Sequence, residues 1–290
     1  MENGERTYHD KPSRPLLTLP AGACDSHCHV FGPTGTFPYA EDARFRPGEA
    51  PKEKLFALHD LLGIQRCVVV QSGCHGYDNR AIEDVVASRP GRYLGIALVP
   101  LTISHAEIAR LAGSGIRGAR FNFMPHLQKG ADPDELMDFS TRIQAHGWHL
   151  QLHVHADLIE EMTPLLKKLP VDVVIDHMGR IDATGGIQQP AFQALLRLLD
   201  HEHVRVKVSG CERSSTQGPP WVDAVPLARN LVERFSDRVL WGTDWPHPNL
   251  GTEPPDDGRL VELIGEIAPT SALRQALLVD NPMSFYRFEA

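Results

Sequence analysis

A closed (β/α)8 barrel, the TIM-barrel fold of the α/β class, is what this chain's pattern predicts, and three observations carry the prediction. Short β-branched or apolar runs alternate with segments of helical period along the whole chain, which is the signature of a parallel sheet with crossover helices. The runs number eight, and eight repeats in one domain favour a closed barrel over an open sheet. The long irregular stretches all follow strands, whereas the returns from helix to strand are short. That asymmetry is expected when the C-terminal mouth of a barrel bears the site.

The strand-like runs fall at 23–28, 66–72 ("RCVVVQS"), 93–99 ("YLGIALV") and 116–123 ("IRGARFNF"), then at 148–154 ("WHLQLHV"), 171–177 ("VDVVIDH"), 204–210 ("VRVKVSG") and 238–244 ("RVLWGTD"). Helix-period segments lie between them at 78–88, 104–113, 133–146, 156–168, 190–200 and 223–235, with two more at 257–266 and 271–280. The longest Pro/Gly-rich stretches are 31–51, 211–222 and 245–257, after the first, seventh and eighth strands. No linker or fixed-period repeat divides the chain, so residues 1–22 read as a tail and 23–290 as one barrel. A length of 290 residues with 42% hydrophobic residues suits one large domain.

A net charge of −8 argues against nucleic acid or an anionic membrane as the main partner. It leaves room for a local basic pocket that takes a small anion. The five cysteines form no paired framework and no CxxC motif, so reduced thiols in a cytoplasmic protein are expected. The polar opening "MENGERTYHDKPSRP" has no apolar core of a signal peptide, and no apolar run is long enough to span a bilayer.

Chemistry gathers at the strand ends. In "CDSHCHVFGP" (24–33), Asp25, His27 and His29 occupy alternate positions, so in a strand they share one face and the two imidazoles stand about 7 Å apart at Cα. An isolated His-x-His is more often a surface pair. Here it has company: His177 ends the sixth run, Asp244 ends the eighth, and the fifth run has apolar even positions that leave His153 facing the lumen, with His155 at the rim. Five such groups at one mouth outweigh the separate structural explanations. Ser72, His75 and Tyr77 follow the second strand and could line the same pocket, with His75 equally able to serve as a loop hydrogen-bonder.

The segments "DSHCHVFGP", "CHGYDN", "RFNF", "IDHMGR", "GPPW" and "WGTDWPHPN", in this order, resemble the amidohydrolase superfamily. Within it the chain is similar to the 2-pyrone-4,6-dicarboxylate lactonase group, from about residue 14 to 287. The resemblance implies a (β/α)8 barrel and attack of water on a lactone carbonyl. It implies Asp244 as general base, His27, His29 and His177 around the reacting centre, and Arg120, Arg180 and Arg213 as carboxylate holders. The arginines make sense unaided, because guanidinium groups pair bidentately with carboxylates. Arg120 shares a strand face with Asn122, and the other two lie just past the sixth and seventh strands.

The chain also departs from that group. His153 stands where the group carries a tyrosine, which restores the strand-5 histidine typical of metal-binding amidohydrolases. Phe45 replaces a pocket tyrosine, and "MPH" (124–126) replaces a basic pair, leaving His126 as the candidate substrate contact there. Substituted muconolactones, sulfonated ones among them, and sugar-acid lactones therefore join the dicarboxylate as candidate substrates.

The expected activity is hydrolysis of a small anionic lactone, with Asp244 and His177 catalytic. A divalent ion, zinc first and manganese second, is expected at His27, His29, His153 and Asp244, three imidazoles and a hard oxygen. The metal-free cluster of the lactonase group is the alternative. A decarboxylase or lactone isomerase could use the same barrel, and a non-catalytic barrel is a third possibility.

Overall fold

The computed structural model describes residues 4–123 and 132–289. Its first half runs β1 (Cys24–Cys28), α1 (Lys52–Leu62), β2 (Arg66–Val70), α2 (Arg80–Ser88), β3 (Tyr93–Ala97), α3 (His105–Gly113), β4 (Ile116–Phe123) and α4 (Pro133–Gln144). The second half runs β5 (His149–Val154), α5 (Ile159–Leu166), β6 (Val173–Ile175), α6 (Pro190–Leu199), β7 (Val204–Lys207), the single turn α7 (Cys211–Ser214), α8 (Val225–Arg234) and β8 (Val239–Leu240). Helices α9 (Asp257–Ile267), α10 (Ser271–Gln275) and α11 (Asn281–Tyr286) follow. The eight strands are parallel and lie in sequence order around one sheet.

Backbone bonds between the ends of that sheet close the ring. Ser26 N–H donates to Trp241 O at 2.8 Å, and Asp244 N–H donates to His27 O at 2.7 Å. Side chains reinforce the seam: Asp25 accepts from Thr243 N–H at 3.1 Å and from Thr243 Oγ1 at 2.6 Å. Gly242 permits the approach, since a Cβ there would lie 2.4 Å from His27 N. All eight expected strands are present, and the apolar positions of β5 (Leu150, Leu152, Val154) pack into the core outside the sheet. Gln151 and His153 are buried too, on the opposite face of the strand.

Two differences from the sequence reading have clear causes. Helix α1 buries Leu55, Leu58, His59 and Leu62 at helical spacing, but Pro51 precedes it with no side-chain cap to mark its start. The strands β6, β7 and β8 stop two to four residues early, because the chain turns out of the sheet to aim residues at the mouth. His177, Arg180 and Asp244 all take left-handed backbone, at φ 48°, 55° and 59°. Such conformations cost non-glycine residues of order 1–3 kcal/mol and cluster where function over-determines them.

Residues ahead of β1 are docked on the barrel. Tyr8 is buried against Trp245, with ring centroids 5.2 Å apart, and Ser13 N–H donates to Asp256 Oδ1 at 2.9 Å. Among the described residues, no helix is long and apolar enough to cross a membrane.

Candidate active site

Strand β1 delivers His27 and His29 into the lumen, with ring centroids 5.0 Å apart. The turn after β6 brings the His177 ring centroid to 4.4 Å from that of His27, and the turn after β8 brings Asp244 beside all three. Asp244 Oδ1 lies 3.3 Å from His29 Nε2 and 3.7 Å from both His27 Nε2 and His177 Nε2. Each ring is held from behind. His29 Nδ1 contacts Val70 O at 2.7 Å, His177 Nδ1 contacts Ser209 Oγ at 3.0 Å, and His27 Nδ1 contacts Lys207 Nζ at 3.1 Å.

The cavity over this cluster is tight, about 80 Å³. His29, Ser72, Arg120, His153, His177, Arg180, Arg213 and Asp244 line it, with Phe45 and Asn249 in its wall. A larger crevice between the 5–7 and 249–254 segments shares that wall, but none of the sequence candidates lines it. The cavity thus brings three imidazoles, three guanidinium groups and one carboxylate together.

Some expectations are corrected. Tyr77 is 54% exposed and His75 does not line the cavity. His75 instead faces Pro38 O through Nδ1 at 3.1 Å and packs on Tyr39, which ties the loop after β2 to the loop after β1. His126 lies outside the described residues. His153 lines the cavity, but its Nδ1 pairs with Asn122 Oδ1 at 3.3 Å and its ring centroid is 5.7 Å from that of His177.

The family model described as Amidohydrolase matches residues 24–288. The chain belongs to the amidohydrolase family. It is 48% identical over 288 residues to a 2-pyrone-4,6-dicarboxylate hydrolase of Comamonas testosteroni, covering 96% of this chain and 94% of that one. A 4-sulfomuconolactone hydrolase of Rhizobium radiobacter is 39% identical, covering 93% and 91%. Among solved structures, a probable 2-pyrone-4,6-dicarboxylic acid hydrolase of Acinetobacter baumannii with citric acid bound superposes with a TM-score of 0.82 at 29% identity, covering 92% of this chain and 100% of that one.

In this amidohydrolase the site's charges are set by burial and by pairing. Burial favours the neutral form of Asp244, but the Arg213 guanidinium beside it outweighs burial and holds the carboxyl well below its usual range. Burial keeps His177 and His153 neutral, well below the ordinary imidazole range. Arg180 falls to about 10 through burial and the nearby Arg213 charge, so it stays a cation at neutral pH.

The ligand atoms of His27, His177 and Asp244 all lie within 4.8 Å of one another, a spacing that could hold a metal ion. His27 Nε2 is buried without a hydrogen-bond partner, as a ligand atom awaiting a metal would be. Of the four ligands expected from sequence, His27 and Asp244 are in this group, together with His177; His29 stands beside it and His153 is not in it. Donor types and spacing therefore fit a divalent ion. One contact stands against His27 as a ligand, the ammonium of Lys207 on its Nδ1.

Sequence reasoning missed the layer below these rings. Lys207 is fully buried and also donates to Gln151 Oε1 at 2.7 Å. Asp176 accepts from Arg120 Nε at 2.9 Å and from Gln151 Nε2 at 3.2 Å, so this carboxylate links the arginine to the strand-5 amide. The signal for Lys207 was present: Val204, Val206 and Val208 face the helices, which leaves residue 207 no direction but the lumen.

Proposed function

We propose that this amidohydrolase hydrolyses a small anionic lactone, carrying carboxylate or sulfonate groups, by general-base attack of water. The observation that carries the reading is Asp244, an ionised carboxylate at the floor of a cavity that three arginines line. Asp244 takes a proton from water as the oxygen adds to the lactone carbonyl. It returns that proton to the departing enolate or alkoxide oxygen as the ring opens. Imidazole N–H groups facing the developing oxyanion stabilise it, and one such donor is typically worth about 3 kcal/mol of barrier.

The anion clamp is Arg120, Arg180 and Arg213, with Ser72 beside them. Both hydrolases named above act on acidic lactones by their names, and the solved relative holds citric acid, itself a polycarboxylate. These likenesses support a substrate with more than one negative charge. Zinc, or manganese in its place, would be held by His27, His177 and Asp244 with His29 beside them only where His27 Nε2 carries a lone pair, and would then polarise the carbonyl. Metal analysis of protein purified without chelator, followed by prolonged chelation, separates this from a site run by the side chains alone.

The test of the activity is a proton-release screen at neutral pH against 2-pyrone-4,6-dicarboxylate, sulfonated muconolactones and sugar-acid lactones. Ring opening releases one proton per turnover. Carbon dioxide release, or an isomeric lactone as product, would replace this reading with decarboxylation or isomerisation.

A further inference from the structure

Lys207 is a buried cation that the proposed reaction does not use directly. It sits on β7 beneath the histidine pair, with Nζ 3.1 Å from His27 Nδ1, 2.7 Å from Gln151 Oε1 and 3.4 Å from Asp176 Oδ1. An ammonium has three donors and no lone pair, so at 3.1 Å from a ring nitrogen it is attractive only when that nitrogen carries a lone pair. A neutral imidazole bears one proton, so a lone pair on Nδ1 places that proton on Nε2.

We propose that Lys207 is a positioning residue that holds His27 in the tautomer protonated at Nε2, and so presents His27 toward Asp244 as a hydrogen-bond donor rather than as a metal ligand. The unpartnered His27 Nε2 is then a buried N–H aimed at the place where Asp244, His29 and His177 converge, waiting for an anionic oxygen. Asp176 makes the arrangement reversible by mutation. Its Oδ1 lies 3.2 Å from the same Nδ1 and 3.4 Å from Lys207 Nζ. With the ammonium gone, Nδ1–H donates to that carboxylate and Nε2 is left with the lone pair a metal needs. A carboxylate behind a histidine is the usual support of a metal ligand, and Lys207 stands in its way.

The role given to the donor rests on the lactonase reading, but the test needs no substrate, so the two can fail separately. Protein labelled with ¹⁵N in its histidines is examined by NMR at neutral pH, and the His27 signals are assigned by their loss in His27→Asn. The wild-type ring is expected to be protonated at Nε2 and bare at Nδ1, and Lys207→Met is expected to reverse this. Zinc chloride titrated into the two metal-free proteins should bind Lys207→Met at least tenfold more tightly. A wild-type His27 protonated at Nδ1 would overturn the proposal, whether or not the variant folds. Equal zinc affinity in the two proteins would overturn it as well.

Discussion

Arg213 joins the candidate anion clamp to the candidate base: its Nε donates to Asp244 Oδ2 and its Nη2 to Pro248 O at 3.0 Å. With Oδ2 engaged, Asp244 turns Oδ1 toward the three imidazoles. The pair also sets the base strength. Burial alone would raise the carboxyl, and Arg213 is the first of the groups that pull it down.

Arg213→Met should therefore move the acid limb of the kcat/KM profile to higher pH. A base works while ionised, so activity is present above its pKa and is lost as pH falls through it. Removing the depressing charge leaves burial less opposed, and the loss begins at higher pH. A pH–rate profile whose acid limb does not move would show that a group other than Asp244 titrates there.

Asp244→Asn keeps the shape but cannot accept the proton. Turnover should fall by at least the ~10²–10⁴-fold usual for a general base, while substrate binding stays within about tenfold, roughly 1.4 kcal/mol. Steady-state kinetics with a binding titration on the variant check both halves. Near wild-type turnover would remove Asp244 from the mechanism.

Arg120→Met should weaken a dianionic lactone far more than its mono-ester. A lost charge-assisted contact is worth about 1.5–3 kcal/mol, and only the acid makes it. Arg120 also holds Asp176, so some loss common to both ligands is expected. The comparison of acid with ester isolates the clamp, and equal losses for the two would make this arginine structural.

What could be read from the sequence is what depends on local period. Alternation placed Asp25, His27 and His29 on one face and aimed β5 correctly, strand-end position found His177 and Asp244, and the family resemblance named the three arginines that line the cavity. Contacts across the barrel were not legible. Lys207 meets His27 from 180 residues away, and only closure of the ring makes them neighbours. His75 and Tyr77 failed for a related reason. They follow a strand as the others do, but a loop after a strand end can turn away from the mouth, and His75 is drawn to Pro38 in a neighbouring loop. The early ends of β6 and β8 reflect left-handed residues that their β-branched neighbours gave no cause to expect.

Gly242→Ala tests whether the seam between β8 and β1 positions the site. The added Cβ would lie 2.4 Å from His27 N, 2.7 Å from His27 Cβ and 2.8 Å from Asp25 Oδ1. Backbone blocks it on one side, so no rotation of a flexible neighbour can make room. The strands must separate, which strains the bonds from Ser26 N–H to Trp241 O and from Asp244 N–H to His27 O. Overpacking of this kind typically costs about 1–3 kcal/mol, readable as a lower urea midpoint with an unchanged slope. Turnover should fall further than stability, because the same displacement parts His27 from Asp244 while the arginines on β4 and beyond β6 stay in place. A variant as stable and as active as the parent would mean that the seam has slack, and that the close approach of β8 to β1 does not set the spacing of His27 and Asp244.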